Sequence, residues 1–435
     1  MKFDNKGNKF VTRHQASCLV GGLLFIGATF SIIFPSITAL ASLLLSGLGA
    51  VYLLSNPMCW VIRYPGIKPR PEVALYALLA YAFVIFPLNI VQNERWGAYH
   101  VILAIFLIMP AYAAFRAYQV SSQWLWRGAA LGAFSAFCVA LVDVFVFDLD
   151  RAGDNINPIP FGNIALVLAV AALLGIRHIE YTKMRSWLVS VQVVGAIGGV
   201  GASLLSGTKG SWPALLMVAY VAYRLSIKKL SSSACYLILG VLMLFIAVLT
   251  LQPQVSVVPR IKSSITAVEQ WLATDHVSDI SIGHRLEMWK FGLAVAGEKP
   301  LLGFGKPGMI ERKNEAIEVG ASDQSIGQYV TLHNEFLNMW VTKGLLGVLV
   351  LCAVYAGAFR VFWGHRQSPN LEIRTISYMG ICLVLMYLTF GLWEVAFQLN
   401  IYRNTYLFWM ISLLGMLGNK LQQEIGEVCT TPAAA

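Results

Sequence analysis

Apolar runs of membrane-spanning length recur along almost the whole chain and stop for one long stretch, between about Gln252 and Leu332. A run of about 17–25 apolar residues crosses a bilayer as a single helix, because the hydrocarbon offers no water to an unpaired backbone. Cutting the sequence on that criterion gives about twelve spans: 15–34, 36–54, 73–91, 97–115, 127–147, 159–177, 187–205, 211–227, 234–251, 334–357, 375–397 and 402–419. Composition agrees, with 57% hydrophobic and 12% charged residues against roughly 25% charged in soluble domains. The fold class expected is therefore an all-α polytopic membrane protein with about 12 transmembrane helices and one long, partly helical outer loop. Its parts are residues 1–251 (spans one to nine), 252–333 (the loop), 334–420 (spans ten to twelve) and a tail at 421–435.

The basic residues set the orientation. With the N-terminus cytoplasmic, the inner segments hold clusters such as Lys2, Lys6, Lys9 and Arg13, then Lys183 and Arg185, then Lys228 and Lys229. The short outer loops hold Arg95, Arg151, Lys209 and Arg403 alone. By the positive-inside rule this puts the long insert outside and both termini in the cytoplasm. The net charge of +10 then mostly reflects topology and gives no argument for nucleic acid. The seven cysteines lie in or near the spans and inner face, none in the insert. That disfavours disulfides and a Cys-ligated metal.

Within the insert, 261–273 has apolar residues at near-helical spacing. Residues 282–296 read as an amphipathic helix with Leu286, Trp289 and Leu293 on one side, a form that lies on a bilayer surface and would carry Arg285 to headgroup level. Lys299-Pro300 ends it, and 301–305 form a turn. The glycines of 195–201 suit close helix packing. Ionisable residues inside spans are few and therefore informative: Asp143 and Glu394 toward outer span ends, and Lys343 deeper. A proton-coupled transporter would more often place carboxylates at the midplane.

Candidate chemistry collects at the outer face. His333 precedes Asn334, which can cap the tenth span and leave N–H groups facing an anion. A neutral histidine there can serve as a general base; read alone, it is equally an interfacial side chain bonded to solvent. Arg285 offers the planar fork that suits phosphate oxygens, and Trp289 lies one helical turn on. Lys209 sits in the tight turn Ser206–Ser211, a plausible anion nest that lacks P-loop spacing. Arg151 opens an outer loop whose Asn155, Asn157 and Asn163 can bond sugar hydroxyls or form turns. Arg260 is a weaker, interfacial candidate. No metal-ligand signature is present, and the Asp148-Leu149-Asp150 spacing reads as loop.

Taken together, Gly-Thr-Lys-Gly-Ser-Trp (207–212), Arg285-Leu-Glu-Met-Trp289 with Pro300-Leu-Leu-Gly-Phe-Gly305, and Leu332-His-Asn-Glu-Phe-Leu337 followed by Lys343-Gly-Leu-Leu-Gly347 resemble the O-antigen ligase family. The resemblance covers most of the chain, including the segment that begins at Arg151. It implies a bacterial inner-membrane glycosyltransferase of lipopolysaccharide biosynthesis, with its long loop periplasmic. The donor would be a glycan on undecaprenyl diphosphate and the acceptor a sugar hydroxyl of lipid A–core. Transfer would be inverting and need neither a metal nor another cofactor. On that reading His333 is the base, Arg285 and Lys209 hold the diphosphate, and Arg151, Asn157, Trp289, Asn334 and Arg260 line the substrates. One departure stands out: the family usually has arginine where this chain has Lys209, and lysine keeps the charge without the fork. The competing readings are an O-antigen polymerase or a protein-glycosylating ligase using the same donor, and a transporter for a lipid-linked glycan.

Overall fold

The computed structural model describes residues 13–34, 36–55, 69–153, 156–181, 186–229, 257–274 and 282–430. Among these, fourteen α-helices form: α1 (Arg13–Thr29), α2 (Ile37–Ser55), α3 (Glu72–Val91), α4 (His100–Ala117), α5 (Gln123–Phe145), α6 (Pro158–Tyr181), α7 (Ser186–Leu205), α8 (Trp212–Lys229), α9 (Val257–Thr274), α10 (Gly283–Ala296), α11 (Gly305–Glu318), α12 (Glu335–His365), α13 (Leu371–Gly391) and α14 (Asn400–Thr430). No strand occurs among the described residues.

Eight helices are long and apolar enough to cross a membrane: Ile37–Ser55, Glu72–Val91, Trp96–Ala117, Gln123–Phe145, Pro158–Arg177, Trp187–Leu205, Glu335–His365 and Leu371–Gly391. His14–Thr29 and Trp212–Val221 are apolar but shorter. The expected ninth span, 234–251, lies outside the described residues. The expected twelfth, 402–419, forms within α14 but is not one of the eight. The reason is burial. Nearly every residue of 402–419 is enclosed by protein, so this helix keeps Arg403, Asn404 and the tyrosines Tyr402 and Tyr406 that a lipid-facing helix would shed. The same helix runs on through 421–430, which the sequence alone assigns to a tail.

The helix ends sort into two faces. At one, the Glu72 carboxylate accepts from Tyr112 Oη at 2.9 Å, and Lys420 Nζ pairs with Glu372 at 2.9 Å. Asn370 caps α13 by accepting from the N–H groups of Glu372 and Ile373. The other face gathers the end of α3, the Arg151 loop, the turn between α7 and α8, the insert helices, and the start of α12. The glycines of α7 allow close packing. A Cβ at Gly195 would lie 2.5 Å from the Ala130 carbonyl oxygen of α5, and one at Gly199 would lie 2.6 Å from that of Ala165 in α6.

Helix α12 breaks at Gly344, whose φ of +65° and ψ of −168° are open to glycine. The turn after α10 docks into the break. Phe304 N–H donates to the Val341 carbonyl at 2.8 Å, and Leu345 N–H to the Pro300 carbonyl at 2.8 Å. Lys343, beside the break, donates to Gln92 at 2.7 Å and pairs with Glu94 at 2.6 Å. The Pro300–Gly305 and Lys343–Gly347 motifs therefore meet as one joint between insert and bundle.

Helix α10 differs from the amphipathic reading. Its inward face is Met288, Phe291 and Val295, while Leu293 is 63% exposed. These residues join Met309, Ile326, Leu332, Leu337 and Val341 in a second hydrophobic core. Docking on α12 and on the segment before His333, in place of bilayer surface, selects that face.

Candidate active site

The segment 329–333 is tied down from three sides. Lys313, only 3% exposed, donates to the carbonyls of Ile326 and Gly327 at 3.2 and 2.8 Å, and to that of Tyr329. Trp289 Nε1–H donates to the Leu332 carbonyl at 3.0 Å, and Leu332 N–H donates to Asn338 Oδ1 at 3.2 Å. The next residue, His333, takes a φ of +47°. A non-glycine residue in the left-handed region costs on the order of 1–3 kcal/mol and persists only where its surroundings fix it. The bonds at Leu332 on one side and the α12 cap on the other supply that constraint. Asn334 caps α12 by accepting from Leu337 N–H at 3.0 Å, and its Nδ2 reaches the Leu392 carbonyl at 3.3 Å.

This backbone turns the imidazole onto Glu394. Nδ1 of His333 lies 3.1 Å from Glu394 Oε2 and 3.0 Å from Oε1. The carboxylate side chain is 3% exposed and the imidazole 22%. Glu394 also accepts from Val395 N–H at 3.0 Å. Facing an ionised carboxylate, which can only accept, a neutral imidazole would carry its proton on Nδ1 and keep a lone pair on Nε2. Next to it, Glu335 is buried and accepts from Phe397 N–H at 2.8 Å, tying the start of α12 to the segment that follows α13.

Around the pair stand aromatic rings. Tyr329 meets His333 edge-on at 5.4 Å between centroids, and its Oη lies 2.8 Å from Nδ1 of His284. Burial raises the Tyr329 phenol above its ordinary range, and the charge of Arg285 acts in the opposite direction. Arg285 is in electrostatic range of Tyr402 as well, as is Glu394. Arg285, on α10, thus lies near Tyr329 and Tyr402, the first of which packs edge-on against His333. Below lies a floor of packed rings, with Tyr387 and Tyr406 centroids 4.9 Å apart and Phe397 and Tyr406 5.2 Å apart.

The Lys209 turn arrives from a third direction. A Cβ on Gly210 would lie 2.9 Å from that of Trp393, whose ring in turn sits 5.8 Å from that of Trp289. The backbone at Lys209, in a short 3-10 turn Lys209–Ser211, is therefore one side chain away from Glu394's neighbour. The side chain of Lys209 lies outside the described residues. Arg151 braces this turn, its Nε donating to the Ser206 carbonyl at 2.8 Å, and Thr208 Oγ1 donates to the Pro158 carbonyl at 2.9 Å. Asn163 Nδ2 donates to Tyr402 Oη.

The remaining sequence candidates separate. Asn157 is exposed and caps α6, accepting from Ile159 N–H at 3.0 Å, with a φ of +105°. Asn155 lies outside the described residues, and so does the side chain of Arg260, whose backbone is in the first turn of α9. The residue that sequence reasoning missed is Glu394 as the partner of His333. Its signal was present, since a carboxylate near the end of an apolar span needs a reason.

Residues 194–352 match the sequence model of a family described as O-antigen ligase, a stretch that holds the Lys209 turn, Arg285, His333 and Lys343. The chain is also similar to an uncharacterised protein of Haemophilus influenzae (strain ATCC 51907 / DSM 11121 / KW20 / Rd). The two are 21% identical over 358 residues, which cover 82% of this chain and 88% of that one.

Proposed function

We propose that this chain, whose residues 194–352 match a family described as O-antigen ligase, is a multi-pass membrane glycosyltransferase of that family and, of the ligase and polymerase types, a ligase. It moves a glycan from undecaprenyl diphosphate to a sugar hydroxyl of lipid A–core. The reaction takes place at the periplasmic face of the bacterial inner membrane, with both termini cytoplasmic.

The observation that carries this reading is the His333–Glu394 pair, with Nδ1 held on a buried carboxylate. Oriented in that way, an imidazole can take a proton at Nε2. The acceptor hydroxyl oxygen attacks the anomeric carbon of the donor. The bond from that carbon to the diphosphate oxygen breaks, and the hydroxyl proton passes to Nε2 of His333. The diphosphate leaves with the bonding electrons, its charge met by Arg285 and Lys209. One direct displacement inverts the anomeric configuration. A sugar diphosphate already carries a good leaving group, so fixed cations meet the electrostatic need without a metal. Trp289 and Asn334 position the His333 backbone, and Arg151 holds the Lys209 turn; Asn157 and Arg260 stand at the margin, as substrate contacts.

In vitro ligation with purified donor and acceptor tests the base. His333→Ala should lower the rate by about 10²–10⁴-fold, the usual range for a general base, while the protein still inserts. Near-normal transfer by this variant ends the base role. Transfer should survive EDTA. Deleting the gene separates ligase from polymerase on a lipopolysaccharide gel. Free core with accumulated lipid-linked polymer is the ligase outcome, and core bearing a single unit is the polymerase outcome.

A further inference from the structure

A cavity of about 770 Å³ opens beside the candidate active site without including His333, Glu394 or Arg285. Its walls come from the ends of α3 and α4, the start of α11, and the segment that leads into α14. Thr331 and Val395 line it, and each is within two residues of the pair. Its charge is lopsided. Arg95, Lys306, Lys343 and Arg403 face one carboxylate, Glu94, and that carboxylate is already engaged. It pairs with Lys343 at 2.6 Å and accepts from Lys306 N–H at 2.7 Å.

Arg403 is the telling residue. It is 5% exposed, its Nη2 donates to Asn400 Oδ1 at 2.7 Å, and its Nε has no hydrogen-bond partner. Among the described residues no carboxylate pairs with it. A buried guanidinium is strongly disfavoured without a counter-charge, and a planar fork with unused donors is matched by phosphate oxygens.

The cavity also adjoins a furrow on the apolar surface of the bundle. His100 lines both it and a smaller groove of about 160 Å³ between α2, α4 and α14. The groove is walled by Leu43, Leu103, Leu107 and Leu407. Leu43, Leu103 and Leu107 are 46%, 55% and 43% exposed, so it opens sideways on the lipid-facing surface. A cationic chamber joined to a lateral apolar furrow fits an amphiphile with a phosphate head and a hydrocarbon chain.

The geometry points to a second lipid site, in which the cavity holds a phosphate group of the acceptor lipid on Arg403 and Lys306 while the furrow takes one of its chains. This deepens the proposed reaction and rests on it only in calling that lipid the acceptor. The diphosphate donor, by contrast, belongs at Arg285 and the Lys209 turn.

The full-length protein in phosphatidylcholine nanodiscs, doped with a fluorescent phosphatidic acid, tests the site. Native mass spectrometry should show phosphatidic acid retained over phosphatidylcholine, with retention falling about tenfold in Arg403→Gln and in the more accessible Lys306→Glu. Leu107→Trp, which fills the furrow, should lose the lipid and leave direct binding of inorganic phosphate unchanged. If Lys306→Glu retains phosphatidic acid as the parent does, the site is overturned, whatever becomes of Arg403→Gln folding. If inorganic phosphate displaces the lipid fully and Leu107→Trp has no effect, the lipid half is overturned. In ligation assays Lys306→Glu should raise KM for acceptor and leave KM for donor unchanged. A rise in donor KM alone removes the acceptor assignment while leaving the His333 chemistry standing.

Discussion

The imidazole of His333 and the carboxylate of Glu394 face each other at 3.0–3.1 Å across two segments that are 61 residues apart in the chain. Neither is free to turn away. The left-handed backbone of His333 is fixed by its neighbours, and Glu394 is buried and also accepts from Val395 N–H. A positioning residue of this kind acts through the tautomer it imposes. Glu394→Gln can present its amide N–H₂ to Nδ1 and so favour the tautomer with Nε2 protonated, which cannot accept a proton. The expected outcome is a fall in kcat of about 10²–10⁴-fold, comparable to loss of the base itself, with little change in KM. Glu394→Asp, which keeps the charge at longer reach, should recover part of the rate. Equal kcat for Gln and parent, over a full pH profile, would mean that the carboxylate only packs.

The Lys209 turn makes a second prediction. Its backbone is held against Trp393 and braced by Arg151, so the position is fixed even though the charge at its tip is a single ammonium. If that charge steadies the leaving diphosphate, Lys209→Arg should be tolerated, since the cation is kept and a fork is gained. Lys209→Ala should lower transfer by at least an order of magnitude, the scale of a lost charge-assisted bond of about 1.5–3 kcal/mol. Full activity of the alanine variant in the ligation assay would take Lys209 out of the site.

Much of the membrane architecture was legible because it is local. Length and apolarity define a span, and the helices α2 to α7, α12 and α13 form where those runs stand. The failures are non-local. The break at Gly344 leaves no mark in the apolar pattern, since it arises from Pro300–Phe304 docking on α12. The inward face of α10 was misread because two of its three apolar cues, Leu286 and Trp289, lie at the border of a face set by Met288 and Phe291. Arg285 and His333 are candidates on the strength of their motifs. Glu394 was seen as an oddity in a span, but only the fold supplies its partner.

Lys313 allows a prediction about pH. It is buried beneath the segment that leads to His333, and burial lowers its pKa below the usual lysine value. The fold therefore disfavours the charged form relative to the unfolded chain. Below the folded pKa this penalty is fully present. As pH rises from there toward the ordinary lysine value of about 10.4, the penalty is relieved and the segment gains stability. Hydrogen exchange of 323–332 should slow across that window relative to Lys313→Met, once the intrinsic pH dependence of exchange is removed. At neutral pH the same variant should be less stable by about 1–3 kcal/mol, because three carbonyls lose their donor. Its kcat should fall with the loosened segment. A methionine variant as stable as the parent would show that those bonds contribute nothing net.

Gly344 tests whether the insert and bundle act as one piece. Its φ of +65° suits glycine, and a Cβ there would stand 2.2 Å from both the carbonyl carbon and oxygen of Leu301. Backbone on that side cannot swing away as a side-chain tip would. Gly344→Ala therefore has to expel the 300–304 turn or straighten α12, and either change undoes the bonds from Phe304 to Val341 and from Leu345 to Pro300. Because the same turn carries the end of α10, and α10 supplies both Trp289 and Arg285, the damage should travel to the active site. The expected result is a protein that inserts yet loses transfer by about 10²-fold or more, a scale that a misplacement of roughly 1 Å can produce. Gly357→Ala is the control on the same helix. Its Cβ would stand 3.1 Å from that of Ala77 and 3.5 Å from the Val73 carbonyl oxygen, contacts outside the 300–304 turn, and it should cost less. If Gly344→Ala transfers as well as the parent, the joint is not what orients Arg285 toward His333.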